Sequence, residues 1–255
     1  MISLSPPKYF GGLFENQRSK NRKDAIMKNA VMNWSTGKDS AYCLYKVLQD
    51  PEIEVKYLLT TVNNDLQRVS MHGVQIELLE RQAESIGIPL IKIHLPSETS
   101  MEEYNQIMSD AMKPLVANGI EYSIFGDIFL EDLRKYREEK LDSIGLKAIF
   151  PLWQMNTKLI IRNFIDQNFR AAITCVNEKY LSHEFCGREI DNSFLNDLPE
   201  MVDPCGENGE FHSFVYDGPV FRKPIRFDLG EIVHRQYKND TEAKYDTGFW
   251  YIDLK

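Results

Sequence analysis

The sequence is short of the features that mark a secreted miniature, a metal ribbon or a membrane protein. It has four cysteines in 255 residues, Cys43, Cys175, Cys186 and Cys205, with no CxxC pair among them, which excludes a disulfide framework and a compact iron-sulfur or zinc knot. A zinc set drawn from His183, Cys186, Cys205 and His212 fails on spacing. No run of eighteen apolar residues occurs and no signal-peptide pattern precedes Lys8, so a cytoplasmic, reducing compartment and no membrane partner are expected. Positive charge is in deficit: 30 Lys and Arg against 38 Asp and Glu give a net -8. That argues against a nucleic-acid partner while leaving room for a local basic pocket.

What is present suits a folded α/β protein. Hydrophobic residues make up 43% of the chain, enough for one large core or two modest ones. Residues 1–24 mix Pro6-Pro7, Gly11-Gly12 and a polar run with no period, and read as an N-terminal extension. From Ala30 the pattern becomes short apolar runs alternating with helical stretches. Ala30-Val31-Met32-Asn33-Trp34 reads as a strand, and Ala41, Leu44, Tyr45, Val47 and Leu48 recur at helical spacing. Strands follow at 54–61, 89–94, 121–125 and 148–152, with helices at 74–85, 101–118, 130–144 and 159–169, Gly87 ending one helix and Pro114 expected to end or kink another. This rhythm predicts a mostly parallel sheet covered by helices, with ligands at the carboxyl ends of its strands. Past 176 the rhythm weakens, and residues 211–216 and 220–225 flank Asp217-Gly218-Pro219 as a hairpin-like return. The expected plan is a nucleotide domain over 25–127, a second domain over 128–225 and a C-terminal arm over 226–255. The aromatic Phe249-Trp250-Tyr251 of that arm suits either the second domain or a homodimer contact.

The most informative segment is Ser35-Thr36-Gly37-Lys38-Asp39-Ser40, between the first strand and the first helix. Backbone N–H groups at a helix N-terminus, three hydroxyls and one lysine form a phosphate-binding set. Asp39 directly after Lys38 and the lack of an earlier glycine exclude a Walker A loop, and no GxGxxG follows the strand. A plain capped helix with Lys38 in solvent is the simpler alternative. Gly126-Asp127 ends a strand on the nucleotide side, where Asp127 suits magnesium, a ribose hydroxyl or a helix cap. His72 suits phosphate, substrate or a structural hydrogen bond. Arg134 and Arg137 lie on a charged helix whose spacings also fit surface ion pairs. In the loop 203–212, Gly206 and Gly209 permit a tight turn that aims Glu207 and Glu210 into one space, where they can orient an amine and accept a proton. Trp153 fits an adenine pocket or the core, and Phe211 and Phe214 fit beside a cationic substrate group.

These motifs together resemble a known family. The string 35–40 is similar to the PP-loop of the ATP pyrophosphatases, usually Ser-Gly-Gly-Lys-Asp-Ser, with Thr36 in place of the first glycine. Arg68-Val69-Ser70-Met71-His72-Gly73, Gln82-Ala83-Glu84-Ser85-Ile86-Gly87-Ile88-Pro89-Leu90, Phe125-Gly126-Asp127-Ile128, Tyr136-Arg137-Glu138, Pro151-Leu152-Trp153 and 203–212 resemble the diphthine-ammonia ligase family. The resemblance implies a PP-loop, Rossmann-like fold of the adenine-nucleotide alpha-hydrolase type, followed by a smaller α/β substrate domain. It implies an enzyme that adenylates a carboxylate with ATP and Mg2+, amidates it with free ammonia, and releases AMP and pyrophosphate. The family's substrate is diphthine, a modified histidine on elongation factor 2. The implied ATP site is Ser35, Thr36, Gly37, Lys38, Asp39, Ser40, Gly126 and Asp127, with Asp39 and Asp127 at the metal. Lys38, Asp39, Glu207 and Glu210 are the implied catalytic residues, and His72, Arg137, Cys205, Gly206, Glu207, Glu210 and His212 the implied substrate contacts. Two other readings stand beside it: a nucleotide-binding sensor without turnover, and an ATP-dependent sulfur transferase using Cys205.

Overall fold

A computed structural model describes residues 27–70, 73–237 and 247–255. Its first sheet is built from β1 (Lys28–Asn33), β2 (Ile53–Asn63), β3 (Arg68–Val69), β4 (Leu90–Leu95), β5 (Tyr122–Ile124) and β6 (Lys147–Ile149). β2 and β5 flank β1, β4 lies outside β2 and β6 outside β5, all parallel. The short β3 pairs antiparallel with the end of β2. Parallel neighbours need long crossovers, and α1 (Lys38–Leu48), α2 (Ile76–Ile86), α3 (Met101–Ala117) and α4 (Glu131–Asp142) supply them.

These helices cover both faces. Ala30 and Met32 of β1 point into one core with Leu44 of α1 and Leu79 of α2, while Val31 points into the other with Leu115 of α3 and Leu141 of α4. A strand buried on both sides must read as a continuous apolar run, and β1 does. α2 ends at Gly87 in the left-handed region, as expected. α3 starts with a Ser100–Glu103 capping box and runs through Pro114 without stopping. Pro114 lies in its last turn, and both it and Asp110, whose carbonyl loses a partner, face solvent.

The second sheet is antiparallel, in the order β8 (Phe211–Asp217), β7 (Arg170–Asn177), β10 (Thr247–Leu254), β9 (Leu229–Tyr237). α5 (Thr157–Asp166) precedes it, and α6 (Asn192–Asp197) lies between β7 and β8. Ile173, Phe214 and Leu254 of this sheet share one continuous core with α1 and α2, so the two halves are packed rather than tethered.

Three expectations are corrected. The first sheet runs past 127, because β6 is the parallel partner that the α4 crossover delivers to β5. Residues 220–225 are not a strand: Pro219 and Pro224 remove donors, and the segment instead packs on α2 through Ser85 Oγ, which donates to the Lys223 carbonyl at 2.6 Å. The stretch expected as an arm provides β9 and β10, with β10 between β7 and β9. Among the described residues no helix is long and apolar enough to cross a membrane.

Candidate active site

The loop 34–37 joins β1 to α1 where the sheet order reverses, with β2 on one side of β1 and β5 on the other, the crevice where doubly wound sheets bind ligands. Gly37 occupies the N-cap position of α1 with no side-chain cap bond, so the plain capped helix is not what forms. Ser213 Oγ, from the second half, accepts from Lys38 N at 3.2 Å. Ser35 Oγ donates to Ser40 Oγ at 3.1 Å, and Ser40 Oγ donates to the Gly37 carbonyl at 2.9 Å. These bonds hold the hydroxyls beside the helix N-terminus.

Lys38 is buried, with Nζ 2.8 Å from Asp39 Oδ2 and 5.2 Å from the centre of the Phe211 ring. Burial disfavours its charge, but Asp39, with Cys205 and Glu207 adding, more than offsets this, so its pKa lies above the ordinary lysine value. Gly126, two residues past β5, lies against the start of α1: a Cβ there would stand 3.0 Å from the Asp39 carbonyl carbon. That close approach brings Asp127 to Asp39. Asp39 Oδ1 and Asp127 Oδ2 are both buried with no hydrogen-bond partner among the described residues, which leaves two acceptors that an ion or water can complete. Arg137 Nη2 lies 3.2 Å from Asp127 Oδ1, and its guanidinium sits 4.3 Å over Phe125. Burial raises the Asp127 pKa against the pull of Arg137.

The second half contributes the loop 203–210. Glu207 Oε1 accepts from Ile128 N at 2.8 Å. Its pKa is raised to about 7, chiefly by burial, with Asp39 and Asp127 adding and the Ile128 N–H and Lys38 opposing. Glu210 behaves differently and corrects an expectation. It is buried, and its carboxylate accepts from Asp203 N, Asn208 N and Asn208 Nδ2 at 2.9–3.0 Å. It braces the loop instead of entering the cleft. Gly206 turns that loop at φ +66, where a Cβ would stand 2.9 Å from the Phe211 carbonyl oxygen.

Cys205 also departs from its expected place. Its thiol is buried, donates to the Thr157 carbonyl at 3.4 Å and is held well above the ordinary thiol pKa by burial. It does not line the cleft, and burial with a raised pKa makes it a poor nucleophile. His212 lines the cleft and is neutral at pH 7, its pKa lowered to about 4 by burial and then by Lys38. His72 lies outside the described residues, although its neighbour Gly73 lines the cleft. Phe214 is fully buried against Phe227, and Trp153 lies under the Arg134 guanidinium; neither lines the cleft.

The resulting cleft holds about 1000 Å³ and is lined by residues 33–35 and 37–40, the end of β2, the segment 125–127 after β5, Tyr104 of α3, Tyr136 and Arg137 of α4, and Glu207, His212, Ser213 and Tyr251 of the second half. Tyr104, Ser213 and Tyr251 were not expected there. Ser213 directly follows the family-like motif that ends at His212, the one local signal available. Among the described residues no three His, Cys, Asp or Glu side chains converge to hold an ion by themselves. The two bare oxygens of Asp39 and Asp127 fit magnesium, which takes one or two carboxylates and fills its remaining positions with water and phosphate oxygens.

An anion-binding loop at the switch point of a doubly wound sheet defines the class, a nucleotide-binding α/β protein. Comparison with known proteins narrows it. The family model described as diphthamide synthase N-terminal domain matches residues 27–148, and the one described as diphthamide synthase C-terminal domain matches 156–253. A Homo sapiens protein named diphthine--ammonia ligase is 27% identical over 183 residues, 66% of each chain. Its Mus musculus namesake is 26% identical over 223 residues, 78% of this chain and 82% of that one. The chain thus spans about two thirds of the human relative's length, and its match to the Schizosaccharomyces pombe relative covers only 26% of that protein. A solved U34-tRNA thiolase from Methanococcus maripaludis is 16% identical over 60% of this chain and 62% of that one, with a TM-score of 0.34, too loose a likeness to carry an argument. The chain belongs to the diphthine-ammonia ligase family of ATP-dependent amidating ligases, whose membership implies use of ATP and Mg2+.

Proposed function

We propose that this chain adenylates the carboxylate of diphthine on elongation factor 2 and amidates it with free ammonia in the cytoplasm. A carboxylate is a poor acyl electrophile, and transfer of AMP to its oxygen, with loss of pyrophosphate, supplies a leaving group. Ammonia then attacks the acyl carbon, AMP departs and one proton is released. The observation that carries this reading is the meeting of Glu207 with Lys38, Asp39 and Asp127 in one cleft.

In this scheme the N-terminal half works on the nucleotide. The open N-terminus of α1, Ser35, Ser40 and Lys38 bind the departing pyrophosphate, and the Lys38 charge favours the transition state in which negative charge builds on its bridging oxygen. Asp39 and Asp127 would hold magnesium, which when bound screens the phosphate charge. The C-terminal half works on the acceptor. Glu207, ionising near neutral pH, takes the proton from the attacking nitrogen, which suits a general base at physiological pH. Arg137, with a buried Nε lacking a partner among the described residues, is the substrate contact for an acidic group. Glu210 serves by bracing Glu207's loop. The buried Cys205 gives sulfur transfer no support.

The test is incubation with Mg2+, ATP, ammonium and diphthine-bearing elongation factor 2, beside a panel of other carboxylates. AMP and amide in equal amounts with diphthine are expected. ATP binding without AMP or amide from any acid would overturn the ligase reading in favour of a sensor.

A further inference from the structure

Gln82 belongs to a motif that the mechanism above leaves without a role. It lies on the buried face of α2 and is fully inaccessible to solvent. A buried carboxamide must find partners, and Gln82 finds them on the phosphate loop and on β8. Gln82 Oε1 accepts from Trp34 Nε1 at 2.8 Å; Nε2 donates to the Thr36 carbonyl at 3.1 Å and to the Val215 carbonyl at 2.6 Å. Val215 N also donates to the Thr36 carbonyl at 3.0 Å. One side chain thus grips the loop at two points and the second half at a third.

Thr36 needs that grip. Its φ is +71, a left-handed conformation that a β-branched residue adopts only where its surroundings impose it. Its hydroxyl is buried without a hydrogen-bond partner among the described residues, so its own side chain does not secure the bend. The grip also has a directional consequence. In a trans peptide the carbonyl and the following N–H point to opposite sides, so pinning the Thr36 carbonyl toward α2 and β8 turns the Gly37 N–H the other way. That N–H reaches Ser35 Oγ at 3.4 Å, and Gly37 lines the cleft.

We infer that Gln82 is a positioning residue: its amide holds the Thr36 peptide so that the phosphate loop presents Gly37 N–H to the nucleotide, and it ties that orientation to β8 of the substrate half. The inference rests on the reading of loop 35–40 as the pyrophosphate site. It carries a particular consequence, that glycine at position 36 should make the grip dispensable, because glycine enters the left-handed region freely.

The test measures binding of magnesium pyrophosphate and Mg-ATP by titration calorimetry to the full chain, with circular dichroism confirming the fold of each variant. Gln82→Met keeps the volume and removes all three hydrogen bonds; binding is expected to weaken about tenfold or more, the loss of roughly one buried bond's worth of orientation. With Thr36→Gly taken as its own reference, whatever its own affinity, adding Gln82→Met should weaken binding by no more than about threefold, so that the loss seen beside Thr36 is mostly recovered. A merely structural Gln82 would show no such rescue. Trp34→Phe, which releases only Oε1, is the milder companion should Gln82→Met not fold; its weakening should be about threefold and likewise erased by Thr36→Gly. A folded Gln82→Met or Trp34→Phe that binds normally, or a folded double variant without rescue, would overturn the inference alone. An unmodified chain that binds neither pyrophosphate nor ATP would overturn the nucleotide reading and the inference with it.

Discussion

Two loops meet in the cleft, and they treat their acidic groups in opposite ways. In and around loop 35–40, carboxylate oxygens are left bare: Asp39 Oδ1 and Asp127 Oδ2 are buried and lack partners among the described residues. In loop 203–210, Glu210 is deeply buried and accepts three hydrogen bonds from its own loop. Leaving a buried acceptor unpaired is costly, and a bound ion or ligand that completes the set removes that cost. The first loop is therefore built to be finished by a ligand, whereas the second is already finished and presents one residue, Glu207, to the first. Two glutamates three positions apart in one motif thus do different work.

Substitutions can break or sharpen this contrast. The largest effect is expected at Lys38: Lys38→Met should lower substrate-dependent AMP release by about a thousandfold or more, since it removes the charge facing the departing pyrophosphate. Glu207→Gln should lower amide formation by about 10²–10⁴. The pH dependence has a definite sign. With its pKa raised to about 7, Glu207 is protonated below that value and becomes a base as pH rises through it, so the rate, corrected for free ammonia, should climb through neutrality and the Gln variant's should not. Asp127→Asn should raise the magnesium needed for half-maximal AMP release by about tenfold. Glu210→Gln should cost about 1–3 kcal/mol of stability, read from denaturant unfolding, while activity per folded molecule changes little. Cys205→Ala should leave ligase turnover within about twofold of normal; a total loss would revive a chemical role for that thiol.

Local signals made the nucleotide side legible. β1, the loop and α1 are contiguous, their apolar periods change at Ser35, and the anion-binding residues lie within six positions, so neighbouring residues alone carry the pattern. The acidic loop was half legible. Its glycines announced a turn, but both glutamates looked alike because Glu210's partners are set by how the loop closes. Long-range features escaped. β10 inserts between β7 and β9 through pairs such as Trp250 with Val176, partners too distant in sequence for any local period to reveal. The same holds for Gln82, whose carbonyl partners lie 46 and 133 positions away, and for Thr36, whose left-handed backbone runs against its own side-chain preference.

The central claim is a division of labour, adenylation at the phosphate loop and nitrogen attack at Glu207. The direct measurement is diphthine-dependent exchange of labelled pyrophosphate into ATP by the Glu207→Gln variant, assayed beside amide formation. Exchange close to that of the unmodified chain with amide formation reduced by about a hundredfold or more is the predicted result. Loss of both together, in a variant that still folds and binds ATP, or retention of both, would contradict it.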